Sequence, residues 1–144
     1  MKKFLLLLGP VLFSLALQGN VREMITPEKP VQKTVRFSIY ASSNYSKSLY
    51  KQSKAKIILS IWRYKGRSQE QIWEGTVDAG RLRNYPSAED PLFREVNLFG
   101  VKEHKEMLVA AYKVMYDSKG STLAYDRGYI VPVGDSTKSV TVRL

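Results

Sequence analysis

At 144 residues the chain has room for one domain, and 44% hydrophobic with 25% charged residues is an ordinary globular balance, so the chain can bury a core and is not intrinsically disordered. The absence of cysteine excludes disulfide staples, thiolate metal sites and cysteine nucleophiles, and a single histidine excludes imidazole clusters. With 23 Lys and Arg against 13 Asp and Glu the formal charge is +10, which favours acidic or anionic partners.

Met1, Lys2 and Lys3 form a short cationic start, and Phe4 to Leu17 carry no charge. This pattern reads as a secretory signal over residues 1–19, with cleavage expected after Ala16 or Gly19. The run is too short for a membrane-spanning helix of about 20 apolar residues, and Pro10 interrupts it. Leu17-Gln18-Gly19 resembles the first three positions of a bacterial lipobox, but Asn20 stands where the lipidated cysteine belongs. The expected location is therefore the periplasm, or the periplasmic face of the outer membrane, without lipidation. A mature chain lacking Lys2 and Lys3 keeps about +8.

Residues 20–33, with Pro27, Pro30 and mixed charges, predict a flexible lead-in to a domain over 34–144. From Thr34, the residues Val35, Phe37, Ile39 and Ala41 alternate with Arg36, Ser38 and Tyr40, as in a half-buried strand. Residues 42–53 read as a loop. Ala55, Ile57, Leu59 and Ile61 then define the inward side of a second strand ending at Lys65-Gly66-Arg67-Ser68, and Ile72 to Ala79 form a third in which Gly75 is expected to mark a bulge. After a Pro-containing loop over 85–91, Leu92 to Val101 form a fourth strand. Val101 to Leu108 is the single segment with helical character. Glu106 to Tyr116 is apolar on both sides and belongs in the middle of a sheet. Asp117-Ser118-Lys119-Gly120 predicts a type I turn into Leu123 to Val131, and Ser139 to Leu144 close the chain. About seven short strands with turn-rich connections predict an all-β fold, an antiparallel β-sandwich of immunoglobulin-like or transthyretin-like form, with a small barrel as the alternative.

The chemistry-bearing residues are sparse. His104, between Lys102-Glu103 and Lys105-Glu106, reads as a solvated surface residue. Glu89 with Asp90, Asp117 with Asp126, and Asp78 with Asp126 are the carboxylate pairings to weigh for acid–base catalysis, and loop or cross-strand roles account for them as well. Glycines occur singly, outside any phosphate-binding motif, and no cofactor or metal is implied. Lys47, Lys51, Lys54, Lys56, Arg63, Lys65 and Arg67 interleave with Tyr45, Tyr50, Trp62 and Tyr64 around the second strand. In an exported protein this points to anionic membrane surface or an acidic protein partner instead of nucleic acid. Because Ile57, Leu59 and Ile61 claim the inward side, Ser60, Trp62 and Tyr64 are expected to face outward, where a Trp needs a covering surface. Ser60, Trp62, Arg63 and Tyr64 are therefore the candidate partner-binding residues.

Several segments together resemble a small exported β-sandwich family. They are Ala55-x-Ile57-x-Leu59-x-Ile61, Pro91-Leu92-Phe93, Tyr112-x-Val114-x-Tyr116-Asp117-x-x-Gly120-x-x-Leu123, Val131-Pro132-Val133 and Val140-x-Val142-x-Leu144. The similarity is to the family of YbaY-type lipoproteins and YscW-type pilotins of type III secretion, and it spans roughly residues 54–144. Asn20 and two extra residues between Gly120 and Leu123 depart from the family pattern. The resemblance implies a non-catalytic chaperone or assembly factor that binds the C-terminal segment of a secretin. The alternative is an extracytoplasmic carbohydrate- or inhibitor-type binding module using the same aromatics, and a sandwich hydrolase built on Asp78 and Asp126 is a further rival.

Overall fold

A computed structural model describes residues 28–42 and 52–144. The predicted signal over 1–19, residues 20–27 of the lead-in and residues 43–51 of the following loop lie outside the described residues. The rest is a β-sandwich of seven strands: β1 (Val31–Tyr40), β2 (Lys54–Lys65), β3 (Ser68–Arg81), β4 (Leu92–Val101), β5 (Met107–Ser118), β6 (Ser121–Val131) and β7 (Thr137–Arg143). One sheet has the order β4-β1-β7 and the other β3-β2-β5-β6. All pairings are antiparallel except β1 with β7, which is parallel. Among the described residues no helix is long and apolar enough to cross a membrane.

The core follows from the period-two pattern. Val35, Phe37 and Ile39 of β1 face Ile57, Leu59 and Ile61 of β2, each at most 1% exposed, and Val114, Val140 and Val142 complete the layer. Full burial of such side chains contributes about 2 kcal/mol apiece against chain entropy. β5, apolar on both sides, lies between β2 and β6 as its composition requires.

Four local features differ from the sequence expectation. β1 begins at Val31, ahead of the predicted Thr34, because Lys33 is buried in the sandwich with partners far along the chain. Gly75 is not a bulge. The register shifts on β3 fall opposite Ala55/Ile57 and Ile61/Trp62, and Gly75 instead lies under the Trp73 ring, where an added Cβ would come within 2.6 Å of the indole. The β5–β6 connection closes as the pair Ser118 with Ser121 around Lys119 (φ 53) and Gly120 (φ 80). Two positive φ values make it a type I′ hairpin, whose twist matches the flanking strands, in place of the predicted type I turn. The 101–108 segment forms only one turn, in which the Lys105 and Glu106 amides both donate to the Lys102 carbonyl, before β5 starts at Met107.

The two open sides of the sandwich are unequal. Between β3 and β4 the segment after β3 folds inward: Leu82 is buried, and the Tyr85 hydroxyl donates to the carbonyls of Ala55 (2.6 Å) and Asp78 (3.2 Å). Between β6 and β7 no such plug occurs among the described residues, and Leu123 of β6 remains 68% exposed.

Candidate functional site

The outer side of the four-stranded sheet is laid out by register. Trp62 of β2 lies opposite Gln71 of β3 and Val109 of β5, and Val109 lies opposite Ile130 of β6. The next row places Tyr64 against Met107, and the row on the other side places Ser60 against Ala111 and Gly128. Ile130 (59% exposed) and Met107 (43%) are large apolar groups open to solvent, so Trp62, Val109, Ile130 and Met107 form one continuous apolar strip across three strands. Beside it, Ser60, Ala111 and Gly128 form a row of small residues. A Cβ added at Gly128 would sit 3.1 Å from Val109 Cγ1, so a larger residue there would crowd Val109.

Three of the four sequence-derived candidates are brought together here. The Trp62 indole N–H donates to Ser60 Oγ at 3.0 Å, which satisfies the polar edge of the ring and fixes its orientation on the sheet. Tyr64 continues the same side. Arg63 does not belong to this surface: the pleat turns it toward the opposite side, where its Nε lies 3.4 Å from Glu106 Oε2. That approach is close enough for an ion pair but misaligned for a hydrogen bond, so the Arg63 Nε–H has no acceptor.

The sequence reading missed a polar cluster at the 101–107 end. The Lys33 ammonium, 3% exposed, pairs with the Glu103 carboxylate and donates to the carbonyls of Pro132 (2.9 Å) and Asp135 (2.5 Å), so all its protons are engaged. Glu103 also accepts the Gly134 N–H at 2.8 Å. The hydrogen bond from Lys33, then that from Gly134, hold the Glu103 carboxyl below the usual carboxylate range. Glu106 is buried alongside, accepting the Lys102 N–H at 3.0 Å and lying 3.3 Å from Lys65 Nζ. A cavity of about 110 Å³, lined by Lys33, Glu106, Leu108 and Val131 among others, separates the two groups. Its charged walls are satisfied by the protein itself, which marks a structural clasp. The only sequence signal for it was a lysine and two glutamates in segments of weak periodicity.

A third cluster lies on the inner side of β6. Tyr112 (4% exposed) shares a hydroxyl–hydroxyl hydrogen bond of 3.2 Å with Tyr125 and packs edge-on to that ring and stacked on Tyr129. Burial, then the hydroxyls of Tyr125 and Tyr129, push the Tyr112 phenol well above its ordinary range. Arg127 stands between Tyr125 and Tyr129 on the same side of the strand, and its hydrogen bond with the Tyr129 hydroxyl holds its pKa up.

Two of the carboxylate pairings separate. Asp78 is on β3 and Asp126 on β6, the two edges of the four-stranded sheet, roughly 14 Å apart at the usual strand spacing. Asp117 and Asp126 lie opposite Thr122 and Lys113 respectively, in different rows. His104 is exposed in the 102–106 turn, with its backbone N–H donated to Glu28. Among the described residues no group of three or more metal-ligating side chains assembles. No family model, curated protein or solved structure matches the chain.

Proposed function

We propose that this protein is an exported, non-catalytic binding protein that acts as a pilotin-like chaperone or assembly factor for a secretin, holding a segment of that partner on the outer side of the four-stranded sheet. The observation that carries the reading is the strip formed by Trp62, Val109, Ile130 and Met107, with the Trp62 ring oriented through Ser60. A rigid aromatic flanked by exposed aliphatics is what a partner's apolar stripe buries against, and such anchors dominate binding energy. The adjoining row of Ser60, Ala111 and Gly128 carries little side-chain bulk beside the strip. Lys54, Lys56 and Lys113 on the same sheet favour a segment that also carries acids. The cationic start and apolar run of residues 1–17 supply the route out of the cytoplasm in this reading.

The test is recovery of partners from bacterial envelope extracts with the mature chain as bait. A secretin recovered by the native chain and lost with Trp62→Ala supports the proposal. Retention on a glycan affinity gel, abolished by Trp62→Ala and with no secretin recovered, replaces it with the carbohydrate-module reading.

A further inference from the structure

The edges of the two sheets are not alike. β3 carries two register shifts and presents Glu70, Glu74 and Asp78, devices that discourage pairing with a further strand. β4 has a register shift near its end, and β7 is only 7 residues long. β6 differs from all three. Its 11 residues pair with β5 without a register shift, it contains no proline, and among the described residues nothing pairs with its other side.

The hairpin register says which groups that edge offers. Ser118 and Ser121 close a two-residue loop and so exchange hydrogen bonds; by alternation the odd-numbered residues of β6 bond to β5. Thr122, Ala124, Asp126, Gly128 and Ile130 therefore turn their N–H and C=O groups away from the sheet. On the inner side the same strand carries Leu123, Tyr125, Arg127 and Tyr129, next to the β6–β7 opening that no described residue plugs. Arg127 is exposed, stands between Tyr125 and Tyr129 on that side, and has no carboxylate partner among the described residues.

We propose that the β6 edge accepts an extended peptide strand whose central acidic residue pairs with Arg127 and whose apolar residues two positions to either side pack on Tyr125 and Tyr129. The main-chain hydrogen bonds come from the even-numbered edge residues, and the period-two spacing of Tyr125, Arg127 and Tyr129 sets the pattern apolar-x-acidic-x-apolar. Tyr125 and Tyr129 flank Arg127 on the same side of the strand, and a charge-assisted pair between its guanidinium and a peptide carboxylate sets the acidic preference. This surface shares only the Gly128 and Ile130 backbone with the Trp62 strip, uses the opposite side of β6, and stands whether or not a secretin is the partner there.

The test uses a labelled peptide, Lys-Val-Thr-Asp-Thr-Val-Lys, and its twin with lysine at the centre, titrated into the mature chain by fluorescence anisotropy. The aspartate peptide is expected to bind at least about tenfold more tightly than the lysine twin, and Arg127→Glu to reverse the preference. Ala124→Pro, which deletes one edge N–H while leaving the β5 ladder and Arg127 intact, is expected to weaken binding by about tenfold or more. In the native chain, bound peptide should slow amide exchange at Thr122, Ala124, Asp126, Gly128 and Ile130, a readout that needs no variant. Equal affinity for the two peptides, no detectable binding of either, or binding without slowed exchange at those amides overturns the proposal.

Discussion

The buried ammonium of Lys33 pairs with Glu103 and so joins the third residue of β1 to the loop between β4 and β5, and the same lysine ties down the Pro132–Asp135 connection between β6 and β7. A single ammonium thus fastens both sheets at one end of the sandwich. Removing it leaves two carbonyls and a carboxylate without their donor, whereas a surface lysine would leave nothing.

Lys33→Ala is therefore expected to destabilise the fold by about 2 kcal/mol or more, and Lys33→Met, which restores packing but no donor, by less. Urea unfolding midpoints measure both. Identical midpoints for Lys33→Ala and the native chain would remove the clasp from the account.

The pH dependence follows from Glu103. Its carboxyl is held below the ordinary value of 4.5 when folded, so around that pH the unfolded chain binds the proton more readily. The stabilisation is complete above the unfolded value and is lost as pH falls through the lower folded one. Glu89, held down chiefly by the Ser87 hydrogen bond, acts in the same sense. Melting curves taken from neutral pH downward should show stability falling below about pH 4.5, with a shallower acid-side slope in Glu103→Gln. An unchanged slope in that variant contradicts the assignment.

Glu106 accepts the Lys102 amide and forms ion pairs with the Arg63 guanidinium and the Lys65 ammonium. Glu106→Ala is expected to cost about 3 kcal/mol, since it strands the partly buried Arg63 charge. The added change Arg63→Met should recover part of that loss in a double-mutant cycle. Additive single effects would show that the two side chains do not interact.

Trp73 stacks on Phe37 at 6.1 Å between ring centres, bridging the sheets, and its far edge occupies the space above Gly75. A methyl group there must displace the ring, so Gly75→Ala is expected to cost about 1–3 kcal/mol and to alter the indole fluorescence. In a Trp73→Phe background the smaller ring should relieve most of the cost. An equal cost in both backgrounds would locate the strain elsewhere.

Much of the fold was legible because the core strands announce themselves. Val35, Phe37 and Ile39, then Ile57, Leu59 and Ile61, alternate without exception, and the doubly apolar β5 could only be central. The same alternation put Ser60, Trp62 and Tyr64 outward, where Ser60 and Trp62 are hydrogen-bonded to each other. Arg63 was misplaced with them because adjacency in sequence is opposition in a strand. Lys33 was misjudged as part of a mobile lead-in, since nothing local distinguishes a lysine that will find two carbonyls and a carboxylate some 70 to 102 positions away. Sheet order, the parallel β1–β7 pairing and the unblunted β6 edge depend on long-range pairing, which alternation does not encode.

The proposed secretin-binding role requires that a secretin segment cover the outer strip. Its most direct test is amide and methyl chemical-shift mapping by NMR as the C-terminal segment of a secretin is titrated into the labelled mature chain. The account predicts perturbations concentrated at Ser60, Trp62, Met107, Val109, Gly128 and Ile130, and their disappearance in Trp62→Ala. A saturating titration that leaves these residues unmoved would contradict it.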